Sequence, residues 1–136
     1  MHFNPYETAA LPELIVEPRP VRPIVTLMLS YAATAASGGV FGIWAGPIGM
    51  GVGFVIASVI GIVIFMPAIL FGVLCKSPGS ICTLAGICGG LTGFLSVFLT
   101  FGSGLDPAYL PFAIAAMFIG GGAAAVTAWL TTADGV

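Results

Sequence analysis

Each of the eight charged side chains in this 136-residue chain (three Lys/Arg, five Asp/Glu) lies outside four long apolar runs or at their edges. An ordinary soluble domain is about 25% charged, whereas here the figure is 6%, with 59% of residues hydrophobic. A water-exposed surface built from so few charges would leave large contiguous apolar patches facing solvent. Lipid must therefore solvate most of this surface.

The first run extends from Ile24 to Gly46, closed by Gly46-Pro47, and the second from Ile48 to Cys75, closed by Lys76-Ser77-Pro78-Gly79. The third covers Ser80 to Gly102, closed by Gly102-Ser103-Gly104. The fourth opens at Asp106-Pro107, an N-cap residue followed by a first-turn proline, and ends near Thr132. Each is as long as the ~20 residues a helix needs to cross the hydrocarbon core. The second run is rich in Val, Ile, Leu and Phe, each favouring insertion by roughly 0.3–0.6 kcal/mol near the helix centre. The expected fold is an all-α bundle of four transmembrane helices, over about 24–46, 48–75, 80–102 and 106–132. Residues 1–23 carry Pro5, Pro12, Pro18, Pro20 and Pro23 among their charges and read as an extended tail. Residues 133–136 form a second, short tail.

A competing reading is a signal peptide, with Arg19 and Arg22 before Ile24–Tyr31 and a cleavage-like Ala33-Thr34-Ala35. The apolar run continues through Val40, Phe41, Ile43 and Trp44, which favours a membrane anchor. Arg19, Arg22 and Lys76 fall on one face of a four-crossing topology, so the positive-inside rule places both termini in the cytoplasm. Trp44 and Tyr109 then mark the outer interface and Trp129 the inner one.

Small residues recur at spacings of four, which keeps them on one helix face. The expected helix-packing positions are Gly38, Gly42 and Gly46; Gly49, Gly53 and Gly61; Gly86, Gly90 and Gly93; and Gly120 with Ala124. Such stripes let helices approach closely in lipid, either within one chain or between copies. Ser37-Gly38-Gly39-Val40-Phe41-Gly42 recurs 51 positions later as Cys88-Gly89-Gly90-Leu91-Thr92-Gly93, and the same offset pairs Met66 with Met117. This suggests two duplicated hairpins inserted in the same orientation. Pro67 interrupts the second run and is a candidate hinge or static bend.

The chemistry inventory is sparse. No Asp, Glu, Lys, Arg or His lies in the central part of a run, and ionisable groups at membrane depth are what proton relays and coupled pumps require. His2 is the single histidine, and Cys75, Cys82 and Cys88 have no metal spacing. A nucleophilic serine or cysteine would lack its base. The chain therefore reads as non-enzymatic, without cofactor or metal, and three Lys/Arg exclude a nucleic-acid footprint. The polar groups left at depth are hydroxyls, and Thr92, Ser96 and Thr100 on one face of the third run are candidate pore-lining residues.

The opening Asn4-Pro5-Tyr6-Glu7 and its proline-rich acidic tail resemble the start of many small bacterial membrane proteins, which implies a multi-pass protein of a bacterial inner membrane. In size the chain is similar to small multidrug transporters, but Ile24–Gly46 lacks their first-helix carboxylate. Small fluoride channels open on a glycine-rich tract, whereas Gly120-Gly121-Gly122 lies in the last run here. Two functional expectations follow. The first is an accessory subunit or homo-oligomer that acts through helix packing with itself or another membrane protein. The second is a small oligomeric channel or transporter for an uncharged or weakly interacting solute.

Overall fold

The computed structural model describes residues 22–43, 46–75, 77–101 and 107–133. They form four helices: α1 (Pro23–Gly42), α2 (Gly46–Gly72), α3 (Pro78–Phe101) and α4 (Leu110–Ala133), the last preceded by a 3₁₀ turn at Pro107–Tyr109. Among the described residues there is no strand. At 1.5 Å per residue, the 20 residues of α1 span about 30 Å, the thickness of a hydrocarbon core. All four helices are long and apolar enough to cross a membrane. The fold is an all-α bundle of four membrane-spanning helices.

Several boundaries differ from the sequence reading, and at the starts of α1, α2 and α3 proline is the reason. Gly46-Pro47 opens α2 instead of closing the first helix, which ends at Gly42. Gly46 adopts φ +78°, a left-handed turn that costs glycine no Cβ clash, and Pro47 follows inside the first turn. Pro23 and Pro78 likewise begin α1 and α3, where a missing N–H leaves no bond unmade. Pro23 thus belongs to a helix, not to the tail. Helix α2 ends at Gly72, and two tighter bonds, Leu74 N–H to the Phe71 carbonyl and Cys75 N–H to the Gly72 carbonyl, unwind it. Asp106 and residues 1–21 lie outside the described residues.

The helices associate as two tight hairpins, α1 with α2 and α3 with α4, laid side by side. In the first, a side-chain carbon on Gly42 would collide with the backbone of Gly49, and one on Gly53 would stand 2.5 Å from the Gly38 carbonyl oxygen. In the second, a carbon on Gly93 would collide with the Ala116 carbonyl, and one on Gly120 would stand 2.6 Å from the Gly89 carbonyl oxygen. Backbones this close need glycine at the crossing.

The two crossings repeat one unit. Gly38, Gly39 and Gly42 match Gly89, Gly90 and Gly93 at the 51-residue offset, but the second helices match at 67, with Gly53 opposite Gly120 and Ala57 opposite Ala124. Met117 therefore corresponds to Met50, since each lies against the second glycine of its pair, and the expected match of Met66 with Met117 fails. The offset grows because α3 runs on to Phe101, about two turns past Gly93, whereas α1 stops at Gly42.

Hydroxyls join the hairpins at the end where α1 and α3 begin and α2 and α4 finish. The buried Ser30 Oγ donates to the Ala124 carbonyl at 3.1 Å, and Thr131 Oγ1 donates to Thr26 Oγ1 at 3.3 Å. Leu27, Phe65, Ile81, Ala85, Ala124 and Ala128 fill this end as a continuous core. Removing a single interhelical hydroxyl bond in lipid costs about 0.6 kcal/mol. Ser30→Ala should lower unfolding stability by about that amount, measured by reversible denaturation in bicelles, with the fold retained.

Candidate functional site

At the opposite end the bundle leaves a partly open cavity of about 600 Å³. Thr34, Ser37, Gly38, Phe41 and Gly42 of α1 form one wall, and Gly93, Ser96, Val97 and Thr100 of α3 another. Ile48, Val52 and Ile56 of α2 and Phe112, Ala116 and Ile119 of α4 complete it, with Tyr109 from the 3₁₀ turn at the same end. The cause is side-chain size. Inward positions here hold Ser, Thr, Gly and Ala, while the other end holds Leu27, Phe65 and Ile81. Part of one wall lies beyond the matched crossings: Ser96, Val97 and Thr100 sit on the extension of α3 that α1 lacks.

A layer of large side chains lies outside the lining, about one helical turn from Thr34 and Ala57. Tyr31 packs edge-on to Phe65 with ring centroids 5.8 Å apart, and its hydroxyl donates to the Ser58 carbonyl at 3.2 Å. A side-chain carbon on Gly61 would stand 2.8 Å from the Tyr31 ring and 3.5 Å from the Thr92 methyl. Phe65 is 1% exposed and Thr92 fully buried. Toward its other limits the cavity is open: among its wall residues, Ile48 is 81% and Phe112 57% exposed.

Of the three expected pore-lining residues, Ser96 and Thr100 line the cavity and Thr92 lies outside the lining, buried beside Gly61. Their hydroxyls donate along one helix face: Thr92 to the Cys88 carbonyl at 2.8 Å, Ser96 to Thr92 at 2.6 Å, and Thr100 to Ser96 at 2.5 Å. On the facing helix, Thr34 donates to the Ser30 carbonyl at 2.9 Å and Ser37 to that of Thr34 at 2.7 Å. Among the described residues, no charged side chain contributes to the cavity wall.

The expected packing residues meet partners within the chain. Gly38 faces Ala57 and Gly53; Gly42 faces Gly49; Gly61 faces Tyr31; Gly86 faces Ala125; Gly90 faces Met117; Gly93 faces Ala116. Gly120 and Ala124 both close on Gly89. Gly46 is the exception, with nothing within 4 Å of a side chain placed there. Gly51 and Gly122 also face open space.

Pro67 is exposed on α2, beside the buried Ala68, and withdraws the N–H that the Val63 carbonyl would accept. It lies at the level of the core, away from the cavity wall. Pro67→Ala should restore that bond and raise unfolding stability by about 1 kcal/mol, read from denaturation in bicelles. A loss of stability would show that the proline itself is required for packing.

Cys88 is buried, while Cys75 and Cys82 are partly buried, all three as free thiols. Among the described residues, no three His, Cys, Asp or Glu come together as a metal site. The aliphatic walls on α2 and α4 escaped the sequence reading. Ile48, Val52 and Ile56 recur every four residues, but a lipid-facing stripe has the same pattern.

With Val63, Leu70 and Phe118 among many large apolar side chains left outside the bundle, the outer surface is fitted to lipid, and the chain is a multi-pass membrane protein. No family model, curated protein or solved structure matches it.

Proposed function

We propose that this is a non-enzymatic membrane protein that takes up an uncharged, largely apolar solute in a cavity at one end of its helical bundle. The observation that carries the reading is the cavity of about 600 Å³ whose lining holds no charged side chain among the described residues, with the layer of Tyr31, Phe65 and Thr92 next to it. Its volume falls within the ~300–1,000 Å³ of small-molecule sites. That layer argues for a binding chamber with one mouth, or one state of a transporter, and against a standing pore. The glycine stripes, which could have served an oligomer, have their partners inside the chain. A partner protein would have to use the lipid-facing surface.

We place the protein in a bacterial inner membrane with both termini cytoplasmic. The exposed Arg22 at the start of α1 supports that orientation. The cavity then belongs to the outer half of the bilayer.

Anything that binds the folded state alone raises stability by mass action. Thermal unfolding of the purified protein against a panel of neutral and charged lipophiles tests the proposal. Neutral compounds should raise Tm in a concentration-dependent manner, and charged ones of equal size should not. A flat response to the whole panel would refute the binding reading.

A further inference from the structure

The hydroxyls on the cavity wall share an arrangement that specifies the polarity of what it holds. Ser37, Ser96, Thr34 and Thr100 each direct their proton to a carbonyl three or four residues earlier on their own helix. A serine or threonine hydroxyl has one donor and two acceptor lone pairs. With the proton engaged, each oxygen keeps acceptor capacity and has no donor to spare. A ligand carbonyl or ether could take a proton from these groups only by breaking a bond already made, so the exchange gains nothing. A ligand O–H or N–H adds a bond without breaking one.

The walls bearing these oxygens are otherwise mostly aliphatic and aromatic, and of the exposed lining residues Ile48, Val52, Phe112 and Ile119 lie on membrane-spanning α2 and α4, with Thr100 on α3 and Tyr109 in the 3₁₀ turn. A solute reaching it from the bilayer has to be neutral, because ionised groups at that depth are costly. We infer that the cavity binds a neutral lipophile of the bilayer that carries a hydroxyl as hydrogen-bond donor, with its apolar body against Ile48, Val52 and Phe112 and its hydroxyl between Ser37 of α1 and Ser96 of α3. This inference rests on the cavity being a binding chamber, and it adds the chemical class of the ligand. Tyr109, also in the lining, comes from the 3₁₀ turn that precedes α4.

The test uses two photoreactive probes of equal chain length in nanodiscs holding the full chain. One is a long-chain alcohol with a mid-chain diazirine, and the other is its methyl ether. Competition by unlabelled alcohol and unlabelled ether gives their relative affinities, and peptide mapping locates the labelled residues. One added neutral hydrogen bond predicts a preference for the alcohol of about 3- to 10-fold, with labels on α2 and α4 around Val52 and Phe112. The double variant Ser37→Ala, Ser96→Ala should reduce the preference to about onefold while ether labelling stays unchanged, a pattern that unfolding could not produce. Equal affinity of alcohol and ether in the native protein, or a preference that survives the double variant, overturns the donor assignment and leaves the chamber standing. Absence of cavity labelling by either probe overturns the chamber itself, and the donor assignment falls with it.

Discussion

Gly42→Leu and Gly93→Leu should each separate the two helices of one hairpin and abolish the folded protein in mild detergent. At both positions the first side-chain carbon already collides with the backbone of the facing helix, at Gly49 and Ala116 respectively. Backbone cannot swing aside as the tip of a side chain does. Overpacking a well-filled interior costs about 1–3 kcal/mol, occasionally more, and a leucine against backbone belongs at the upper end. Leucine at Gly51 or Gly122, where a new side chain meets nothing within 4 Å, provides the matched control. The composition change is identical and the added surface faces lipid, so these variants should unfold as the native protein does. Size-exclusion profiles and unfolding curves of the four variants check the contrast. Equal damage from all four would mean that glycine itself, and not the crossing, is what the fold needs.

Val52→Trp should remove ligand binding while leaving the fold intact. Val52 lines the cavity, yet it is 47% exposed, so a larger ring can extend into space that is already empty. The indole would occupy a substantial part of the 600 Å³. A neutral lipophile that stabilises the native protein should lose its effect on Tm, a drop of about 2.7 kcal/mol if the native protein was tested at a hundredfold its Kd. Val59→Trp, on the same helix and also exposed, lies outside the lining and should bind normally. Retained binding in the Val52 variant would locate the ligand elsewhere.

The fold was legible in the sequence because charge and apolar length act over whole segments, and no local detail could reverse them. Helix boundaries were less legible. Pro23, Pro47 and Pro78 read as stops, yet the first turn of a helix is the one place where a missing N–H costs nothing. The glycine crossings could be read as stripes, but not their partners. Whether Gly42 meets another helix of its own chain or of a second copy depends on the short α1–α2 connection, which holds the two stripes face to face. The repeat was legible in α1 and α3, where Gly-Gly pairs recur at a fixed offset. It was misread in α2 and α4, because the extension of α3 shifts the second helices from 51 to 67.

The cavity was only half legible. Ser96 and Thr100 stood out as hydroxyls in an apolar run, but Thr92, on the same face, is one turn too deep and lies outside the lining. Helical periodicity gives a direction around the axis and says nothing about the depth at which neighbouring helices diverge. That depth depends on Tyr31, Phe65 and Gly61, which come together from different parts of the chain.

The bundle is packed at one end and hollow at the other. Determination of the structure in a lipid nanodisc at side-chain resolution tests this most directly. Such a structure should show a chamber of about 600 Å³ between Ser37 and Ser96, bounded by Ile48 and Phe112, with Phe65 and Tyr31 packed beneath it. Collapse of Ile48 and Val52 onto Phe112 and Ile119, leaving no chamber, would contradict it, as would an open passage through the Phe65 layer.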